Sequence, residues 1–259
     1  MRDAGGLRVG IDVGGTFTDL AAMGRDGSLV RLKVPSTPRA PERGALDALD
    51  ALLAGGAVAA ADISLLAHAS TIATNALLGQ LALELPRVAF ITTEGFRDVL
   101  EIGRQNRSAV YDLNVQRARP LAARFDRLVV RERREYDGRV STPLDLASVD
   151  AAIDAIAERG ITTVAIGLLH AHVDDAHEVA VADRIAARLP HVRVTRSADL
   201  VREFREYERF STAVVNAALL PVVGDYLARL VTGVRERDVA APVFVMCSDG
   251  GMASIGIAA

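Results

Sequence analysis

Lysine is almost absent from this 259-residue chain: Lys33 is the sole lysine among its 30 basic residues. That scarcity excludes two large classes of phosphate chemistry. A Walker-type loop needs a lysine directly after its glycines, and a protein kinase needs one paired to a helix glutamate. Lys33 lies instead in the alternating stretch LVRLKV, a strand pattern. Cysteine is equally scarce. Cys247 stands alone, so no internal disulfide forms, and no secretory pattern opens the chain; a reducing cytoplasmic setting is expected. Unbroken apolar runs are short, VAIGLL being typical, so no membrane span is expected. A net charge of −3 gives no electrostatic footprint for nucleic acid or an anionic membrane. The remainder is ordinary globular composition, 50% hydrophobic and 24% charged, which suffices for one large domain or two smaller ones.

Periodicity divides the chain into two styles. LRVGIDV alternates, with Val9, Ile11 and Val13 on one face and Gly10 and Asp12 on the other. TFTDLAAM follows a glycine pair, RDGS makes a turn, and LVRLKV follows that, so three antiparallel strands are expected. Strand and helix then alternate. Leu46, Leu49, Leu52 and Leu53 have helical spacing ended by Gly55-Gly56; ISLLAHA, RVAFITT, ITTVAIGLL, HVRVT and PVFVMCS read as strands. TIATNALL and GFRDVLEIG read as helices, and Asp145 or Ser148 caps a helix through Glu158, with Gly160 behind it. A long helical stretch runs over about 202–237 with Pro221 as a kink or break. The expected class is therefore α/β with a mixed sheet.

The stretch DVGGTFTD carries the clearest chemistry. Gly14 and Gly15 permit positive φ and let a phosphate approach backbone N–H groups; Thr16 and Thr18 add hydroxyls. Asp12, at a strand end beside the turn, can hold Mg²⁺ through water. A plain glycine hairpin without ligand has the same GG. A Rossmann loop is excluded, because TFTDLAA is not helical in pattern.

The whole string, Asp-x-Gly-Gly-Thr-x-Thr-Asp between two strands, resembles the first phosphate hairpin of the actin-like ATPase and sugar-kinase superfamily. HASTIATNALL, ITTEGFRDVLEIGRQNR, LLHAHVDDAHE, EFREYERFSTAVVNAAL and FVMCSDGG follow in that order. Together they resemble the hydantoinase A / oxoprolinase family over essentially the whole chain. The resemblance implies an actin-like (ribonuclease H-like) half-fold. It also implies use of ATP with Mg²⁺ to activate an unreactive amide or carbonyl oxygen, as in N-methylhydantoinase, oxoprolinase and the acetone and acetophenone carboxylases. It assigns Asp12, Gly14, Gly15, Thr16, Phe17 and Thr18 to the phosphate side of the nucleotide, with Asp12 as the metal contact and Asp19 as support for the hairpin or the metal shell.

Other residues carry two readings each. Thr71 and Asn75 share a helix face beside the hairpin, as a substrate or phosphate wall or as ordinary capping by Ser70 or Thr71. The family pattern there is His-Gly-Thr-Thr with a later Glu-Arg pair, whereas this chain has His-Ala-Ser-Thr and Gly79-Gln80. Arg97 and Glu101 form an i,i+4 pair, and Arg104, in a loop, is either a substrate or phosphate contact or simply solvated. His170, His172 and His177 invite a metal, though His177 falls in a helix where it can simply pack. The arginine run from Arg117 to Arg134 reads as a solvated, salt-bridged strand pair, with an intersubunit surface as the second reading and nucleic acid a distant third.

Actin-like ATPases close on nucleotide with two halves, and the later glycine pairs, Gly55-Gly56 and Gly250-Gly251, lack the Gly-Gly-Thr-x-Thr-Asp pattern. The expected organisation is an N-terminal actin-like domain over 1–200, then a crossing helix and the first strand of a second domain over 201–259. The expected partners are the other half or a second subunit, a small cyclic amide or ketone, and further copies in an oligomer. Apolar surface is expected to be exposed around Ala213 to Leu230. A non-catalytic assembly module with the same half-fold, a ketone-carboxylase subunit and a sugar kinase are the competing readings; ITTEGFRDVLEIGRQ does not fit the last.

Overall fold

A computed structural model describes residues 6–80, 83–106, 109–112, 114–115 and 118–258. The chain divides into two compact units, one of Met1–Leu85 with Leu219–Ala259, the other of Pro86–Ala218.

The first unit is built on a six-stranded mixed sheet. Its strands are β1 (Leu7–Val13), β2 (Phe17–Met23), β3 (Leu29–Pro35), β4 (Ile63–Ser70), β11 (Val243–Met246) and β12 (Met252–Ser254), in the order β12-β11-β4-β1-β2-β3. β1, β2 and β3 pair antiparallel, as the short turns require, and β4 lies parallel to β1. The period-2 pattern sends Val9, Ile11, Val13, Leu20 and Ala22 to one face. There they meet Ala45, Ala48, Leu49 and Leu52 of helix α1 (Pro41–Ala54), and Leu230 and Val234 of the long helix α7 (Glu206–Arg235). Gly56, at φ 68°, ends the turn after α1 in a conformation that favours glycine. The short helices α2 (Ile72–Leu77) and α8 (Ile255–Ala258) complete this unit.

The second unit holds a four-stranded, wholly parallel sheet of β5 (Val88–Thr93), β6 (Arg127–Val130), β9 (Thr163–Gly167) and β10 (Arg193–Arg196), ordered β10-β9-β5-β6. Every residue of β5 and β9 is buried, as central parallel strands require. Helices α4 (Leu146–Glu158) and α5 (Ala176–Arg188) supply Val149, Ile153, Ile156, Val181 and Ile185 to its core. Asp145 caps α4 by accepting the Ala147 N–H at 3.0 Å, as the sequence suggests. Helices α3 (Val99–Ile102) and α6 (Ser197–Leu200) and the hairpin of β7 (Arg133–Arg134) with β8 (Val140–Thr142) lie in the same unit.

Several expectations change. The parting of the chain runs at 85/86 and 218/219, not at 200, because Val243–Val245 pair with Leu66–His68. The strand PVFVMCS thus joins the first sheet and does not open a new domain. Helix α7 continues through Pro221 without a break. The stretch 213–230 is largely withdrawn from water: Ala213, Val214, Ala217, Ala218, Tyr226, Leu227 and Leu230 are buried, and Leu219 to Gly224 are half-buried. α7 has the length and hydropathy to cross a bilayer; 33% of its most apolar window is buried, and Leu230 and Val234 pack into the core of the first unit. In the arginine run, Arg127 and Arg134 are buried and not solvated, held by Glu101 at 2.8 Å and Asp174 at 3.0 Å. Arg107 and Arg117 lie outside the described residues.

Candidate functional site

The β1–β2 hairpin is built by its backbone. The Gly14 N–H donates to Phe17 O at 3.1 Å, and the Ser36 N–H donates to Thr16 O at 2.9 Å, tying the turn to the end of β3. Thr18 is buried and its hydroxyl meets Ser36 Oγ at 2.9 Å, so it braces the turn from below. Neither Gly14 nor Gly15 is among the positive-φ glycines, contrary to the reason first given for them. Their need is spatial. A Cβ on Gly14 would stand 3.0 Å from Phe17 O, whereas one on Gly15 would project into open space. The N–H groups of Gly15 and Thr16 meet no backbone acceptor among the described residues. Open space over unpaired N–H groups is what an approaching phosphate oxygen requires.

Asp12, the last residue but one of β1, lies on its exposed face and stands opposite Asp19 in the ladder. Like charges directly opposed are unfavourable, and Lys33 offsets one of them at 3.1 Å from Asp19 while lying 5.0 Å from the centre of the Phe17 ring. Asp12 and Asp19 also line a cavity of about 330 Å³ with Gly10, Ala21, Ala67, Ala69 and Met246. Small residues at alternate positions leave this face of the sheet hollow, while the opposite face is packed.

The parallel pairing of Val13 with Ser70 delivers the start of α2 beside the hairpin. Ser70 Oγ accepts the Ile72 N–H at 3.1 Å, and Asn75 Nδ2 donates to Thr71 Oγ1 at 3.2 Å. Asn75 lines a small cleft together with Gly14, Ser36 and Ser70. Thr71 and Asn75 are therefore brought to the hairpin, and capping by Ser70 operates alongside.

Sequence reasoning missed the pair beneath. His68 and Tyr226, both buried, join Nε2 to Oη at 2.5 Å. Burial drives the His68 imidazole down to about 4 and pushes the Tyr226 phenol up. Both are neutral at pH 7, so the bond ties β4 to α7 without burying charge. The signal lay in HAS at a strand end, but its partner is distant in sequence.

The remaining candidates belong to the second unit. Arg104 donates to Glu208 at 2.6 Å and lies 5.8 Å from the Tyr207 ring centre, so it is an ion-paired residue fastened to α7. Arg97 reaches Asp98 at 3.4 Å, while Glu101 accepts from Arg127 at 2.8 Å; the expected i,i+4 pairing gives way to these. Of the three histidines, His177 turns away, its Nδ1 2.8 Å from Glu132. His170 and His172 converge instead with Glu206.

The chain matches the family model for the hydantoinase/oxoprolinase N-terminal region over residues 8–189, and the hydantoinase/oxoprolinase model over 209–259. It is 38% identical to an uncharacterized protein of Methanocaldococcus jannaschii, covering 96% of this chain and 36% of that one. It is 35% identical to caprolactamase subunit alpha of Pseudomonas jessenii (95% and 36%) and 30% identical to 5-oxoprolinase 1 of Arabidopsis thaliana (96% and 22%). The crystal structure of the ATP-dependent caprolactamase from Pseudomonas jessenii superposes with a TM-score of 0.84 at 35% identity, over 95% of this chain and 36% of that chain. Nucleotide-free acetone carboxylase superposes at 0.85 with 24% identity, over 98% and 38%, a likeness of fold. The chain thus spans about a third or less of the relatives it matches. Its actin-like α/β fold, its ordered motifs and these matches agree: the chain belongs to the hydantoinase/oxoprolinase family.

Proposed function

We propose that this chain supplies the phosphate-binding N-terminal part of an ATP-dependent enzyme that opens a small cyclic amide of the hydantoin or oxoproline type. The observation that carries the reading is the hairpin at Gly14–Phe17, with open space at Gly15 and unpaired N–H groups next to exposed Asp12. The 35% identity to a caprolactamase subunit supports a lactam in preference to a ketone. A lactam is a poor electrophile. Phosphoryl transfer to its carbonyl oxygen would make the ring carbon electrophilic: one water would add there, the C–N bond would break with the ring nitrogen leaving as the protonated amine, and a second water would hydrolyse the resulting acyl phosphate to carboxylate and free phosphate. The hairpin's task is then to orient the phosphates and spread their charge.

Asp12 and Asp19 present facing carboxylates, the hard oxygen donors that Mg²⁺ prefers, and the residues fit that ion. Bound with the nucleotide, Mg²⁺ would neutralise phosphate charge; Asp12 would hold it and Lys33 would balance Asp19. The far side of the nucleotide would come from a second hairpin on a further segment or partner subunit, in a cytoplasmic oligomer. A single exposed cysteine accords with that compartment.

The test is phosphate release by the assembled enzyme offered hydantoin, 5-oxoproline or caprolactam. Stimulation by a cyclic amide, abolished by Asp12→Ala, is expected. The 259-residue chain alone is expected to show no substrate-dependent turnover. Stimulation only by a ketone with bicarbonate would replace the substrate class. Nucleotide binding untouched by Asp12→Ala, with no turnover in any assembly, would favour a non-catalytic assembly module.

A further inference from the structure

We propose that His170, His172 and Glu206 form a transition-metal site, best suited to Zn²⁺, at the carboxyl end of the parallel sheet. One ligating atom from each lies within 4.8 Å of the other two, and His170 Nδ1 is already 3.8 Å from Glu206 Oε1. Two imidazoles and a carboxylate form a donor set that zinc accepts, with a fourth position left for water. A tetrahedral ion with bonds of about 2.0–2.1 Å needs donors somewhat closer than this, so binding requires the half-buried side chains to draw together. The side chains of His170 and Glu206 are 25% and 23% exposed, so an ion has a path in.

Three independent features point to a ligand here. First, the topology. β5 connects onward to β6 on one side, and β9 connects onward to β10 on the other, although β5 and β9 are neighbours. Neighbouring parallel strands whose connections diverge open a crevice at their carboxyl ends, where ligands of α/β sheets bind. His170 and His172 lie in the connection that leaves the carboxyl end of β9. Second, the unmet polar atoms. His172 Nδ1 and Glu206 Oε1 are shielded from solvent and make no hydrogen bond, a costly arrangement unless something else satisfies them. Third, the backbone. His170 adopts φ 56°, in the left-handed region, and the turn it starts brings the rings of His170 and His172 to 6.0 Å between centres.

The surrounding charge is tolerable for a cation. Arg209 Nη2 lies 3.7 Å from Glu206 Oε1, but Arg209 also faces buried Glu178 at 3.5 Å. The positive end of the α7 dipole opposes a metal, and Glu206 with Glu208 in its first turn offsets it. Bound there, the ion would fasten the segment after β9 to the first turn of α7. The proposal stands apart from the phosphate hairpin and does not depend on it.

The test is Zn²⁺ and Co²⁺ titration of the chelator-treated full chain, followed by calorimetry and by Co²⁺ ligand-field absorption, with thermal unfolding alongside. One equivalent per chain is expected, with a rise in Tm. His172→Gln, Glu206→Gln and His170→Asn should each weaken binding by at least about tenfold. Asparagine tolerates the left-handed backbone, so the last variant keeps the turn. Cys247→Ser and His177→Gln should leave binding unchanged. No binding by the wild-type chain, or binding that survives the first three substitutions, overturns the proposal; so does binding lost with Cys247 or His177.

Discussion

Two adjacent glycines in the hairpin have different reasons to be glycine, and this separates stability from binding at single-atom resolution. Gly15→Ala places a methyl in open space, so it should change stability by no more than about 0.5 kcal/mol. On the function proposed above, the same methyl would obstruct a phosphate and lower nucleotide affinity of the assembled enzyme, read by equilibrium titration. Gly14→Ala must instead displace Phe17 O and should destabilise the hairpin itself. His68 offers a pH test. Its folded pKa of about 4 lies below the ordinary value of 6.5, so between those limits the unfolded chain binds more protons. Stability from its neutral burial is present above 6.5 and is lost as pH falls toward 4, on the order of 3 kcal/mol in all. Denaturant midpoints at pH 7 and pH 4.5 should differ less in His68→Gln than in the wild type. The hairpin that holds Asp12, Gly14 and Gly15 was legible because a tight turn between two strands is written in consecutive residues. Tyr226 beneath His68, and Glu206 beside His170, were not, because those contacts form only when a distant helix packs.

Elements, more than single contacts, decide how closely α7 approaches its neighbours. Gly167 ends β9 with no side chain because Phe210 of α7 fills the place: a Cβ there would meet the Phe210 ring at 2.4 Å and Phe90 at 2.9 Å. Gly167→Ala should therefore overpack this core and cost about 1–3 kcal/mol, measured by urea unfolding. Glu178 and Arg209, each 0% exposed, tie α5 to α7 through the Leu168 N–H, the Ala198 N–H and the Ser197 hydroxyl. Burial raises the Glu178 carboxyl while those bonds and Arg209 oppose it. Removing one partner strands a buried charge, so Arg209→Met should cost about 3–5 kcal/mol. The strands and helices were largely readable, since alternation and leucine spacing follow from one-sided burial. The route of α7 through Pro221 was not, because tertiary packing outweighs one lost backbone bond.

At the scale of the whole molecule, the second unit interrupts the first: β4 and β11 are neighbours in one sheet although all of Pro86–Ala218 lies between them. Composition does not change at either crossing, and no proline- or glycine-rich linker marks them, so only the pairing of β11 with β4 reveals the plan. Truncation before Val243 should consequently remove an interior neighbour of β4 and unfold the first unit, seen as loss of cooperative thermal unfolding. The charge economy of the chain has a practical outcome as well. Its one ε-amine, on Lys33, stands half-exposed at the edge of the sheet, against Phe17 of the hairpin. An amine-acylating reagent has no other side chain to modify, so the mass of a single tryptic-size fragment becomes a gauge of whether the hairpin is occupied.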